Sequence, residues 1–112
     1  VPGAQWARVF TNDTGGTYVD RDRLTLADAG KVRFWVLVEY FDEKRDFYLG
    51  HYVLDCATGQ AGRLQWTVVR GGRPGVLKRS VFEWQDKRDG AQGAAVFRFV
   101  CWDAWETEAG IG

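Results

Sequence analysis

The stretch AQGAAVFRFVCWDAWE, residues 91–106, decides the fold because it fits two templates. Read as a strand, it sets Val96, Arg98 and Val100 on one face and Phe97, Phe99 and Cys101 on the other. Read as a helix, it brings Phe97, Val100, Cys101 and Ala104 together at i, i+3, i+4 and i+7. Alanines 91, 94, 95 and 104 favour the helix, whereas Phe and Val favour the strand. The pattern alone leaves both open.

Everything upstream reads as strand and turn. QWARVF, 5–10, alternates, with Trp6, Arg8 and Phe10 on one side, and Asn12 to Gly16 signals a turn before the short strand TYVD, 17–20. Residues 21–30 are polar with alternating Leu24 and Leu26, an extended edge or loop. KVRFWVLVEYF, 31–41, is the strongest strand, apolar on both faces in its second half and therefore central. DEKRD, 42–46, makes a charged hairpin loop into FYLGHYVLDC, 47–56, where Gly50 marks a bulge. RLQWTVVR, 63–70, alternates well, GGRPG, 71–75, is a loop, and VLKRSVFEW, 76–84, reads as a further strand. QDKRDG, 85–90, is a polar loop, and the tail 107–112 looks frayed after a domain spanning 1–106. About six antiparallel strands result. Core candidates are Trp35, Val36, Val38, Val53, Trp66, Val68, Phe97 and Val100.

HYVLDC, 51–56, holds the chain's single histidine and one of its two cysteines. A metal site needs three or four ligands, and on a strand His51 and Asp55 stand roughly 13 Å apart, so no metal is expected. Five residues apart on one strand, His51 and Cys56 face opposite ways. A Cys101–His51 pair stays geometrically open, but the apolar neighbours Phe99, Val100 and Trp102 disfavour a thiolate. A Cys56–Cys101 disulfide asks the least, with two free buried thiols as its alternative. It would close a loop of about 45 residues and stabilise by roughly 4 kcal/mol in the chain-entropy model. A bridge would place the protein outside the reducing cytosol.

Composition excludes several functions. In 112 residues, 15 basic side chains offset 15 acidic ones, which leaves no global field for nucleic acid or an anionic membrane. No apolar run approaches the roughly 20 residues of a membrane-spanning helix. The chain opens Val-Pro-Gly without Met, as expected for a processed chain. No Walker loop, GxGxxG or GxSxG occurs, so neither catalytic residues nor a cofactor are expected.

Six Trp, seven Phe and four Tyr supply much of the burial. Core packing is the default for the tryptophans. WDAW, 102–105, is the exception, placing Trp102 and Trp105 on a surface near a terminus. Arg21, Arg23 and Arg33 with Lys31 form one basic cluster; Arg70, Arg73, Lys78 and Arg79 form another. These patches suit acidic protein or glycan partners.

The order of landmarks resembles the surface-adhesin protein E-like family, small exported bacterial domains. The resemblance rests on Trp6, Tyr18-Val19-Asp20, the strand Val32 to Val38, Leu54-Asp55-Cys56, Trp84 and Val100-Cys101, and covers about residues 5–102. It departs at Gln85 to Gly90, where the family commonly has Pro-Gly-Ser, and at Gly50-His51, where a Ser often stands. The resemblance implies an α+β, mainly β fold: one antiparallel sheet of about six strands with a short C-terminal helix on its concave face. It also implies a disulfide from the fourth long strand to that helix, and it tips 91–104 towards helix. Members are often periplasmic or lipoproteins; the named member binds host extracellular-matrix and serum proteins and can dimerise.

The expected function is therefore a non-enzymatic, adhesin-like protein of a Gram-negative envelope, periplasmic or on the outer-membrane surface. It would touch the membrane only through a removed lipid anchor. Partners would be host matrix or serum proteins or another envelope component, met by Arg21, Arg23, Arg33, Arg73, Lys78, Arg79, Trp102 and Trp105. The alternative is a ligand- or carbohydrate-binding module using the concave face.

Overall fold

The computed structural model describes residues 5–41 and 46–106. Residues 42–45 of the expected hairpin loop 42–46 and the tail at 107–112 lie outside the described residues, as do residues 1–4. Five long strands form the sheet: β1 (Trp6–Asn12), β2 (Gly15–Asp20), β4 (Lys31–Tyr40), β5 (Phe47–Asp55) and β6 (Gln60–Arg70). Four two-residue strands supplement them, β3 (Thr25–Leu26), β7 (Arg73–Pro74), β8 (Lys78–Arg79) and β9 (Gln85–Asp86). The path runs β1-β2-β4-β5-β6-β7, every pairing is antiparallel, and the sheet curls into a half-barrel. The expected mainly β, α+β architecture of about six strands and one C-terminal helix is what the molecule has.

β4 shows why. Its Val32, Phe34 and Val36 are buried on the inner face, whereas Arg33 is exposed on the outer one. The register carries the inner row across the sheet, from Val19 through Val36 to Gly50 and Trp66. A second row joins Val32, Leu54 and Ala61. Of these rows Val19, Val32, Val36, Leu54 and Ala61, with Phe34, meet Phe99, Val100 and Ala104 of the C-terminal element to form the core.

Several core assignments need correcting. Val36 and Val100 are core, but Trp35, Val38, Trp66, Val68 and Phe97 are only half-buried. Trp35 stands on the outer face, stacked on His51 with ring centroids 4.4 Å apart. Val53 is buried as expected, though on that outer face, opposite Gly62, over which Phe82 lies.

Gly50 is not the bulge. The irregularity falls between His51 and Tyr52, where the partner register skips from Gln65 to Arg63. Another separates Arg8 from Phe10 and breaks the simple alternation of β1. The strand expected over 76–84 shrinks to the two residues of β8. Its apolar residues come in pairs, Val76-Leu77 and Val81-Phe82, around a polar trio, so no face is continuously apolar. Residues 21–30 hold a 3₁₀ turn at Arg21–Arg23 and then β3. The buried Asp20 carboxylate accepts N–H bonds from Gln5 and Asp22 and lies 3.5 Å from Arg23. Gly71 and Gly72, both at positive φ, close the tight β6–β7 turn, as two-residue hairpins require.

The ambiguous stretch is helical. Helix α1 (Ala91–Arg98) runs into a π turn at Phe99–Asp103, where the Ala104 N–H bonds to the Phe99 carbonyl. The Trp105 indole N–H donates to the Val100 carbonyl at 2.7 Å. Phe99, off the face set by Phe97, Val100, Cys101 and Ala104, is buried as well: it stands three residues after Val96, on the side that also carries Val100, and the wider turn then brings Ala104 to the same core. Cys101, inside that turn, is bonded to Cys56 just after β5, with Cα atoms 5.7 Å apart. Both cysteines are consumed, which removes a thiol nucleophile. The bridge points to a non-reducing, extracytoplasmic environment. Among the described residues no helix is long and apolar enough to cross a membrane.

Candidate functional site

Curling the sheet around α1 leaves a cleft of about 250 Å³ between them. Phe34, Val36, Leu54 and Ala61 supply its floor from the sheet; Val96 and Phe97 supply its wall from α1. Gly93 lets the helix close on the loop before it, because a Cβ there would overlap the Lys87 carbonyl oxygen.

Polar groups enter at a few points. Tyr48 and Tyr52 share the inner face of β5, four residues apart, and their hydroxyls meet at 2.6 Å. Gly50 between them makes this possible: a Cβ would fall 2.5 Å from Tyr52 Cε1 and 2.9 Å from the Tyr48 hydroxyl. The bulge swings Arg63 opposite Tyr52, and its Nη1–H donates to the Tyr48 oxygen at 3.1 Å. Its Nε–H donates to Ser80 Oγ at 2.6 Å. Burial, and then the hydrogen bond with Tyr48, push the Tyr52 phenol well above its ordinary range. The same Tyr48 oxygen raises the Arg63 guanidinium further. Next to this group the Trp66 ring holds two cations, Arg63 and Lys78, each 5.0 Å from its centroid.

Lys87, Arg88 and Gln92 also line it, with Thr17, Val38 and Gly59. Arg88 is clamped by Asp86 at 2.7 and 3.0 Å, and that hydrogen bonding lowers the Asp86 carboxyl to about 2. Gln92 Nε2–H donates to Thr17 Oγ1 at 2.7 Å, tying α1 to β2. Among the described residues no acid lines the cleft.

The residues expected to form a binding surface do not converge. Arg21 lies over the Phe99 ring at 5.5 Å and Arg23 pairs with Asp20. Arg33 is exposed on the outer face, where burial and then its charge lower the His51 pKa. Arg73 and Arg79 are exposed at the β6 edge, and Lys78 joins Trp66. Trp102 is half-exposed and meets Phe97 edge-on, whereas Trp105 packs against the core.

Sequence reasoning passes over Tyr48, Tyr52 and Arg63. The signal is YLGHY, 48–52, two tyrosines on one strand face with a glycine between them. No family model, curated protein or solved structure matches the chain.

Proposed function

We propose that the chain is a non-enzymatic, exported binding module whose ligand site is the cleft between the inner sheet face and α1. One observation carries the reading: a 250 Å³ space with apolar walls and a few convergent polar groups, between two elements joined by a disulfide. Apolar walls with sparse, placed polar groups are the ordinary make-up of a small-ligand site. The bridge supports export. A periplasmic or outer-surface location in a Gram-negative envelope, with a lipid anchor, is the finer form of the proposal.

Thermal-shift screening against sugars and small organic molecules tests it, with the wild type and the cleft-filling Val96→Phe side by side. A ligand present at 100 times its Kd adds about 2.7 kcal/mol of stability. The reading expects a wild-type shift that Val96→Phe abolishes; a shift that survives the substitution, or none, contradicts it.

A second reading, adhesion to host matrix or serum proteins, is favoured by the strip from Val76 to Trp84. Val81 is 92% exposed and Val76 81%, beside exposed Leu77, Phe82 and Trp84 and the cations Lys78 and Arg79. Contiguous exposed apolar residues mark interaction surfaces, a self-associating one included. Plate binding to laminin and vitronectin at micromolar protein should saturate and weaken in Val76→Ser/Val81→Ser. An absent saturable signal removes this reading.

A further inference from the structure

Counting hydrogens at the cleft exposes an imbalance. Tyr48 and Tyr52 carry two hydroxyl hydrogens and share one mutual bond. Arg63 adds a donor to the Tyr48 oxygen and takes no hydrogen away. Whichever tyrosine donates to the other, one phenolic hydrogen has no acceptor among the described residues. Thr17 repeats the pattern: it is buried, accepts from Gln92, and has no acceptor for its own hydroxyl hydrogen among them.

Charge is unbalanced in the same sense. Lys87 lines the cleft, and among the described residues its ammonium bonds only the neutral Gln85 oxygen, at 2.8 Å. Arg63 bonds two hydroxyls, and neither it nor Lys78 has a carboxylate in ion-pair range among the described residues. The neighbouring acids Asp86 and Asp89 act on Arg88. Surplus donors and Lys87 border an apolar floor that no acid lines among the described residues, and Arg63 reaches the Tyr48 oxygen from beside it. Thr17 is buried and the tyrosine pair partly so; a donor shut away from water without an acceptor is costly, and a charged acceptor satisfies it best.

We infer that the cleft binds a small amphipathic monocarboxylate, its carboxylate set toward the tyrosine pair and Lys87 and its hydrocarbon part along Phe34, Val36, Leu54 and Val96. This rests on the cleft being the ligand site and adds the ligand's chemistry. At about 250 Å³ the cleft lies at the small end for ligand sites, which calls for a short-chain ligand. Octanoate is thus a fitting probe.

Titration calorimetry of the intact, disulfide-bonded chain with octanoate, octanol and octylamine tests the inference. Octanoate is expected to bind at least tenfold more tightly than octanol, and octylamine more weakly than either. A single Tyr→Phe change still leaves one hydroxyl hydrogen over, so the informative variant is Tyr48→Phe with Tyr52→Phe and Lys87→Gln. It should bring the octanoate-to-octanol ratio close to one while circular dichroism stays that of the wild type. Should this variant misfold, Lys87→Gln alone, at an exposed position, still has to lower the ratio. Equal binding of the three amphiphiles overturns the anion preference and leaves the cleft reading standing. No binding by any of them overturns the inference, whereas the cleft reading falls only if the wider thermal-shift screen also finds no ligand.

Discussion

Gly50 is where the absence of a side chain shapes the site. Tyr48 and Tyr52 lean into the space a Cβ would occupy, and their hydroxyls meet above it. Gly50→Ala should therefore cost about 1–3 kcal/mol through overpacking, measured by urea denaturation. It should also part the two phenols, although alanine suits a strand no worse than glycine does. A neutral result would mean the rings move aside freely. His51, directly across from Trp35 in the ladder, gives a prediction of the opposite kind. Burial and then Arg33 lower its pKa in the folded state, so the unfolded chain binds the proton more readily. Its contribution is complete above the unfolded value of about 6.5 and is lost as pH falls through the lower folded value. Melting temperatures between pH 7.5 and 5 should fall less steeply for His51→Gln than for the wild type; parallel curves would contradict this.

The C-terminal element depends on its staple more than on its intrinsic helix strength. α1 is eight residues long, starts at Gly90 without a side-chain cap and carries Gly93 in its interior. A helix that short is marginal alone, so its docking on Val19, Phe34 and Leu54 through Phe99 and Val100 stabilises it. Replacing both cysteines by alanine should cost roughly 4 kcal/mol in the chain-entropy model, read as a lower urea midpoint insensitive to reductant. Phe99→Ala should cost about 3–5 kcal/mol by opening the same interface; a loss below 1 kcal/mol would place Phe99 outside the core. These elements also show what the residues betray before any coordinates exist. KVRFWVLVEY and RLQWTVVR advertise their strands because burying one face imposes a period of two. AQGAAVFRFVCWDAWE does not declare itself, because its apolar residues satisfy both periods and the π turn then shifts the face. VLKRSVFEW misleads through β-favouring residues that have no second layer to bury them.

Across the whole molecule the two sheet faces divide the work. The inner face carries the core and the cleft under α1. The outer face carries the Trp35–His51 stack, and Phe82 lies over Gly62 there. The antiparallel strands are legible in the sequence pattern, whereas their curl into a half-barrel is not, and the site is only partly so. YLGHY can be seen in the chain, but Arg63 reaches Tyr48 only through a register shift between β5 and β6 that no local pattern encodes. Basic residues counted along the sequence scatter over the surface, because charge runs carry no folding constraint that would gather them. The most direct test of the cleft is chemical-shift mapping of isotope-labelled, disulfide-bonded protein titrated with octanoate. Saturable shifts concentrated at Val36, Gly50, Tyr52, Leu54, Gln92 and Val96 are predicted. Shifts confined to residues 76–84, or scattered and non-saturating, would contradict it.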